Sequence, residues 1–325
     1  MKLKKIISAI LLVIILIGCF YFTFKTNERQ KYRVNNKPTI VVTTFSAYDF
    51  VKHIAGDTVN LVFLLGPGVD SHGYEPGAKD IMQIENADMF IYVGGTLEPW
   101  STKVIESLES DVKTVRLIDS IDLKEEVKID GAQEETHDHH NHEHEEINER
   151  EYDEHIWTSP ENAIEMINFI SNHLKELKNE NEALYDQNAN EYIKEIKKVQ
   201  KDITEVVNKS KRKRLVFGDK MPMQYFIQEF GLEVSAAFAG CAEETVPTSG
   251  TIAYLVDLIK NEKIPVVLYT EMNEGKVAKT LADETGAKSK RIQTLHNISK
   301  QDFENGETYV SLMRRNIEVL KEALN

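Results

Sequence analysis

The stretch TIVVTTFSAYDFVKHIAGDTVNLVFLLGPG, residues 39–68, decides the fold. It opens on a β-branched run, Thr39–Thr44, which suits an extended, buried strand. Ser46–Ala55 reads as helix, and a second apolar run, Val59–Leu65, stops at Gly66-Pro67-Gly68. Strand, helix, strand and turn in that order predict a βαβ unit, in which the two strands lie parallel. Ligand sites in such folds gather on the loops at the carboxyl ends of the strands. Candidate functional residues are therefore sought where predicted strands end.

The alternation continues in both directions from this unit. Lys79–Glu85 reads as helix, Met89–Val93 as a buried strand ending at Gly94-Gly95, Trp100 opens another helix, and Val115–Ile118 is a further strand. Two helical segments follow, Asn162–Leu177 and Asn181–Lys209. The second has no internal glycine or proline, and its apolar residues, among them Tyr192, Ile196, Val199 and Ile203, recur at helical spacing without a sustained heptad. At about 29 residues it spans about 43 Å, longer than one small lobe, and reads as a rigid strut. Beyond it the pattern repeats. Strands are expected at Leu215–Phe217, Val234–Phe238, Val266–Tyr269 and Arg291–Leu295, with helices at Gln224–Phe230, Thr251–Asn261, Lys276–Thr285 and Thr308–Leu324. The expected fold is α/β, with two lobes, each a mostly parallel sheet flanked by helices, joined by a long rigid helix. The boundaries are a leader and tether over 1–37, a first lobe over 38–160 with a His-rich loop at about 131–150, linking helices over 161–210 and a second lobe over 211–325.

The N-terminus points to export. Lys2, Lys4 and Lys5 precede an apolar run from Ile6 to Leu16, and Leu16-Ile17-Gly18-Cys19 closes it. This ending is similar to a bacterial lipobox, in which Cys19 takes the lipid. An uncleaved anchor is the alternative, because Phe20, Tyr21, Phe22 and Phe24 prolong the apolar segment. Either way the body is tethered at the outer face of the membrane. Only Cys241 is left as a second cysteine, so no disulfide framework supports the fold. A formal net charge of -14 argues against nucleic acid as a partner and suits attraction of cations.

Histidine marks the chemistry. THDHHNHEHEE, residues 136–146, holds His137, His139, His140, His142 and His144, five of the chain's ten histidines, among acids. A tract this polar cannot bury itself, but neutral imidazoles bind Zn²⁺ and similar ions, so it reads as a weak accessory metal site. His72 sits in the glycine- and proline-shaped loop Gly66–Pro76, and His155 in DEHIWTSPEN. Asp219, Glu243, Glu244, Glu271 and His296 stand on loops of the second lobe. Singly, each is an ordinary solvated loop side chain. Facing one crevice, they would supply the four or so ligands a zinc site needs. No HExxH-type motif offers the open coordination and poised carboxylate of a metallohydrolase, so an enzyme is not expected. A sugar or peptide receptor would line its cleft with aromatic stacking residues instead.

GVDSHGYEPGAKD (68–80), DEHIWTSPENA (153–163), the acidic His-rich insert before it, and LHNISK (295–300) together resemble the metal-specific solute-binding lipoproteins of ABC importers. The resemblance runs from about Thr39 to the C-terminus. It implies one Zn²⁺ or Mn²⁺ held between two lobes, a membrane permease as partner, a monomer, and a lipid-anchored position outside the cell membrane. His72 and His155 match the family's first two ligands, and His296 falls where the fourth is found. The third is open: the family places His or Glu after the first strand of the second lobe, where this chain has Phe217-Gly218-Asp219-Lys220. Asp219, Glu243, Glu244 and Glu271 are the candidates, with Cys241 disfavoured as an oxidation-prone thiolate. A His-rich insert and three imidazoles favour Zn²⁺ over the more oxygen-loving Mn²⁺. A manganese receptor, or a surface metal buffer or adhesin of the same build, is the alternative.

Overall fold

The computed structural model describes residues 37–69, 73–127, 129, 152–238 and 246–325. The expected leader and lipobox, and the His-rich tract, lie outside these residues. The first lobe runs β1 (Thr39–Val42), α1 (Phe45–Ala55), β2 (Asn60–Phe63), α2 (Ala78–Glu85), β3 (Met89–Tyr92), α3 (Pro99–Ser107) and β4 (Lys113–Arg116). Two helices follow, α4 (Pro160–Leu177) and the long α5 (Glu182–Lys209). The second lobe runs β5 (Arg214–Phe217), α6 (Gln224–Glu229), β6 (Glu233–Ala236), α7 (Ser249–Glu262), β7 (Val266–Thr270), α8 (Lys276–Thr285), β8 (Lys288–Ile292), α9 (Lys300–Glu304) and α10 (Tyr309–Ala323).

Both sheets are wholly parallel and share one topology: β2-β1-β3-β4 in the first and β6-β5-β7-β8 in the second. In each, the chain turns back between the first strand and the third, which opens a crevice at their carboxyl ends. The central strands β1, β3, β5 and β7 are buried on both faces, as parallel strands covered by helices must be. Ile40, Val42, Met89 and Ile91 pack with Phe50 and Ile54 of α1, while the alternate residues Val41 and Phe90 pack with Ile84 and Trp100. The second sheet repeats this, with Leu215, Phe217 and Leu268 on one face and Val216 and Val267 on the other. The inner faces of both sheets belong to one continuous core.

The long helix runs for 28 residues, and its stripe of Tyr192, Ile193, Ile196, Val199, Ile203 and Val207 is buried. It packs against α1 of the first lobe, α4, and α10 of the second. A polar knot reinforces the junction. The buried Asp49 of α1 accepts hydrogen bonds from the Tyr192 hydroxyl and, at 3.2 Å, from the Tyr309 N–H, while the His53 ring stacks on Tyr192 at 3.8 Å. Burial pushes the Asp49 carboxyl above its usual range despite His53 and these donors.

One element departs from expectation. The last strand is Lys288–Ile292, three residues earlier than the apolar reading Arg291–Leu295 suggests. β8 is an edge strand whose lysines face outward, so its polarity hides it. The apolar Leu295 belongs to a turn, with a left-handed φ of 66°. Replacing Ile196, fully buried at the centre of the strut, by alanine is expected to cost about 2–5 kcal/mol, read as a lower midpoint of urea unfolding.

Candidate metal centre

The second lobe's contribution begins at the end of β7. Glu271 is buried, and its carboxylate accepts the Thr294 N–H at 2.8 Å, the Thr294 hydroxyl at 2.7 Å and the Leu295 N–H at 3.0 Å. Burial raises its pKa, and these donors oppose the rise. By holding two successive N–H groups, Glu271 fixes a backbone turn that a non-glycine residue with positive φ would otherwise resist. The turn delivers His296, whose carbonyl accepts the Phe45 N–H at 3.1 Å. The second lobe's turn is thus attached to the start of α1 in the first.

His155 comes from the segment that leads into α4. Asp153 Oδ1 accepts both the His155 N–H at 2.8 Å and the ring Nδ1–H at 2.9 Å. This fixes the tautomer, with the proton on Nδ1 and the lone pair on Nε2. Asp153 is itself held, since its carbonyl accepts the Tyr225 hydroxyl at 2.7 Å. The neighbouring Glu154 points the other way and accepts the N–H groups of Thr96 and Leu97. Gly95 makes room for it: a β-carbon there would lie 2.0 Å from Glu154 Oε1. Burial raises the Glu154 pKa, and the Thr96 and Leu97 N–H groups oppose the rise.

The two imidazoles, one from the segment before α4 and one from the turn after β8, meet with ring centroids 5.9 Å apart and planes at 89°. Trp157 lies against both, 5.4 Å from His155 and 4.9 Å from His296, and its indole N–H donates to the Thr294 carbonyl at 2.9 Å. Two imidazoles at this separation can turn toward one small cation.

The remaining candidates divide into two groups. His72, Glu243, Glu244, Cys241 and Cys19 lie outside the described residues, as do His137, His139, His140, His142 and His144. Among the described residues no group of three or more His, Cys, Asp or Glu side chains forms a metal cage. Asp219 is buried and accepts the Thr270 N–H at 3.1 Å, the Thr270 hydroxyl at 2.7 Å and the Asn273 amide at 2.7 Å. It ties the exit of β5 to the exit of β7, much as Glu271 ties β7 to β8. Sequence reasoning missed Asp153, Glu154 and Trp157 as supports of the histidines. The signal for Asp153 was present: an acid two residues before a histidine can reach that residue's ring.

The sequence profile of the family described as ZnuA, zinc-uptake complex component A, periplasmic, matches residues 40–323. The chain belongs to the ZnuA family. Over 323 residues it is 30% identical to the zinc-binding lipoprotein AdcA of Streptococcus pneumoniae, covering 99% of this chain and 61% of that protein. The high-affinity zinc uptake system protein ZnuA of Bacillus subtilis is 30% identical over 296 residues, 89% of this chain and 88% of that one. The crystal structure of the Zn(II)-bound ZnuA-like domain of S. pneumoniae AdcA superposes with a TM-score of 0.73 at 28% identity, covering 89% of this chain and 99% of that domain. The chain thus spans less than two thirds of AdcA and most of the B. subtilis protein.

In this ZnuA-family chain one further acid stands close to the cleft. Glu98, at the start of α3, is fully buried, and its Oε2 accepts the Val93 N–H at 2.7 Å and the Gly94 N–H at 3.2 Å, where β3 ends. Burial, aided by the nearby Glu154 charge, outweighs these donors and lifts its pKa from 4.5 to about 7. Between those values the folded chain keeps a proton that the unfolded chain has lost, so stability falls as pH rises through this window. Glu98→Gln removes the titration. On zinc-free protein, wild type is expected to lose about 3 kcal/mol relative to Glu98→Gln between pH 4.5 and 7.5, measured by urea unfolding at each pH.

Proposed function

We propose that this chain is the extracytoplasmic zinc receptor of an ABC-type importer, tethered to the membrane through Cys19 and handing its cargo to a membrane permease. The observation that carries this reading is the meeting of the His155 and His296 rings at 5.9 Å. Membership of the ZnuA family and the zinc named in its relatives support it. The ligands are His72, His155 and His296, with one carboxylate completing the shell. Asp219 and Glu271 already accept three protein hydrogen bonds each, which favours Glu243 or Glu244 over these two.

Each part has a task. Asp153 holds the His155 ring with Nε2 as ligand and raises its basicity. Trp157 keeps both rings from rotating away. The His-rich tract gathers Zn²⁺ weakly and raises its concentration at the cleft, and the ordered site retains it until the permease takes it. Imidazole-rich ligation selects Zn²⁺ over Mn²⁺.

His155→Ala and His296→Ala should each abolish tight, stoichiometric zinc binding in calorimetry, while Asp153→Asn should weaken it about 10- to 100-fold by loosening the ring. Tight binding that survives in either histidine variant sinks the assignment. Deleting residues 136–146 should leave one tight site and remove several weaker ones from the same isotherm.

A further inference from the structure

Next to His296 stands Asn297, 3% exposed, whose side chain belongs to neither lobe alone. Its amide nitrogen donates to the carbonyls of Gly66 at 3.1 Å and Val69 at 2.5 Å, and its oxygen accepts the Gly68 N–H at 3.3 Å. The Gly68 N–H also reaches the Ile298 carbonyl at 2.8 Å. Gly68 adopts φ +80°, a conformation glycine takes readily, and the Lys300 side chain lies 3.4 Å from where a β-carbon would stand. One buried amide therefore grips three backbone groups of the loop after β2, and it sits on the same turn as His296.

We propose that Asn297 is a clasp between the lobes, a positioning residue that governs how fast the bound metal leaves. The inference rests on the zinc-receptor reading above and extends it to the release step. Val69, which it grips, lies three residues before His72 in the sequence, and the turn it belongs to carries His296. Opening the lobes must break these hydrogen bonds together, because Gly66, Gly68 and Val69 share one partner. Their loss leaves the buried Asn297 amide without partners until water enters, which opposes opening. Asparagine suits the task because it offers donor and acceptor on one planar group. Aspartate has the same shape but no donor, and it would face the Gly66 and Val69 carbonyls with negative charge.

The test compares wild type, Asn297→Asp and Asn297→Ser as full chains. Zinc dissociation is followed after mixing zinc-loaded protein with excess chelator, and hydrogen exchange of the Gly68 amide is followed in the same proteins without zinc. The clasp predicts that Asn297→Asp releases zinc at least tenfold faster, keeps one tight zinc per chain, and exchanges the Gly68 amide at least tenfold faster. Asn297→Ser, which keeps one hydrogen-bonding group, should fall between. Unchanged release with accelerated Gly68 exchange overturns the release role, and unchanged Gly68 exchange overturns the clasp itself. Should Asn297→Asp lose its cooperative melting transition, the serine variant decides by the same two rates. Wild type that takes up no zinc overturns the receptor reading instead, and the exchange data then still report whether the clasp exists.

Discussion

Trp157 is where the two lobes hold each other. Its indole N–H reaches the second lobe at Thr294, its carbonyl accepts the Tyr309 hydroxyl at 2.9 Å, and its ring lies against both His155 and His296. A fully buried tryptophan removes a large apolar area from water, and it must also satisfy its one donor. Here both demands are met across the cleft. The burial energy that stabilises the core is thereby applied at the point where two imidazoles must meet, so the site does not depend on loop conformation alone.

Around that contact the chain buries carboxylates repeatedly and uses them in one way. Glu98, Glu154 and Glu271 each accept two backbone N–H groups from a loop that leaves a parallel strand. An ionised carboxylate in such surroundings is expensive unless hydrogen-bonded, and each raised pKa records the balance left over. In return, loops that would otherwise move are fixed at both ends. Asp153 and Asp219 do comparable work, one on an imidazole and one on the β7 exit. The negative charge around the cleft is therefore largely structural, and it also makes the cleft a favourable place for a cation.

Much of this was legible in the sequence. The βαβ stretch at 39–68, the uninterrupted apolar stripe of residues 182–209 and the repeated alternation after it appear as parallel strands, a 28-residue helix and a second sheet of the same order. His155 and His296 could be singled out because DEHIWTSPENA and LHNISK resemble motifs of the family, whereas each histidine alone reads as an ordinary loop side chain. β8 was misplaced because Lys288 and Lys290 conceal an edge strand, and local pattern cannot see that its partner is β7. The supports were harder. Glu98 and Glu271 look like any surface acid until the backbone groups they cap, at Val93 and Leu295, are brought to them by folding. Long-range polar partnerships of this kind have no periodicity to betray them.

Stiff and separable parts occupy different places in this chain. The strut, its apolar stripe and the Asp49 knot bind both lobes along their length with contacts that water does not enter. The contacts at the mouth are different in kind: hydrogen bonds from Asn297 to three backbone groups, and from Phe45 to the His296 carbonyl. Hydrogen bonds can be exchanged for water with little net loss, whereas apolar burial cannot. Movement of one lobe against the other is therefore easiest at the mouth, where the contacts are polar and share few partners, and hardest at the strut. His155 and His296 lie on the yielding side of that division.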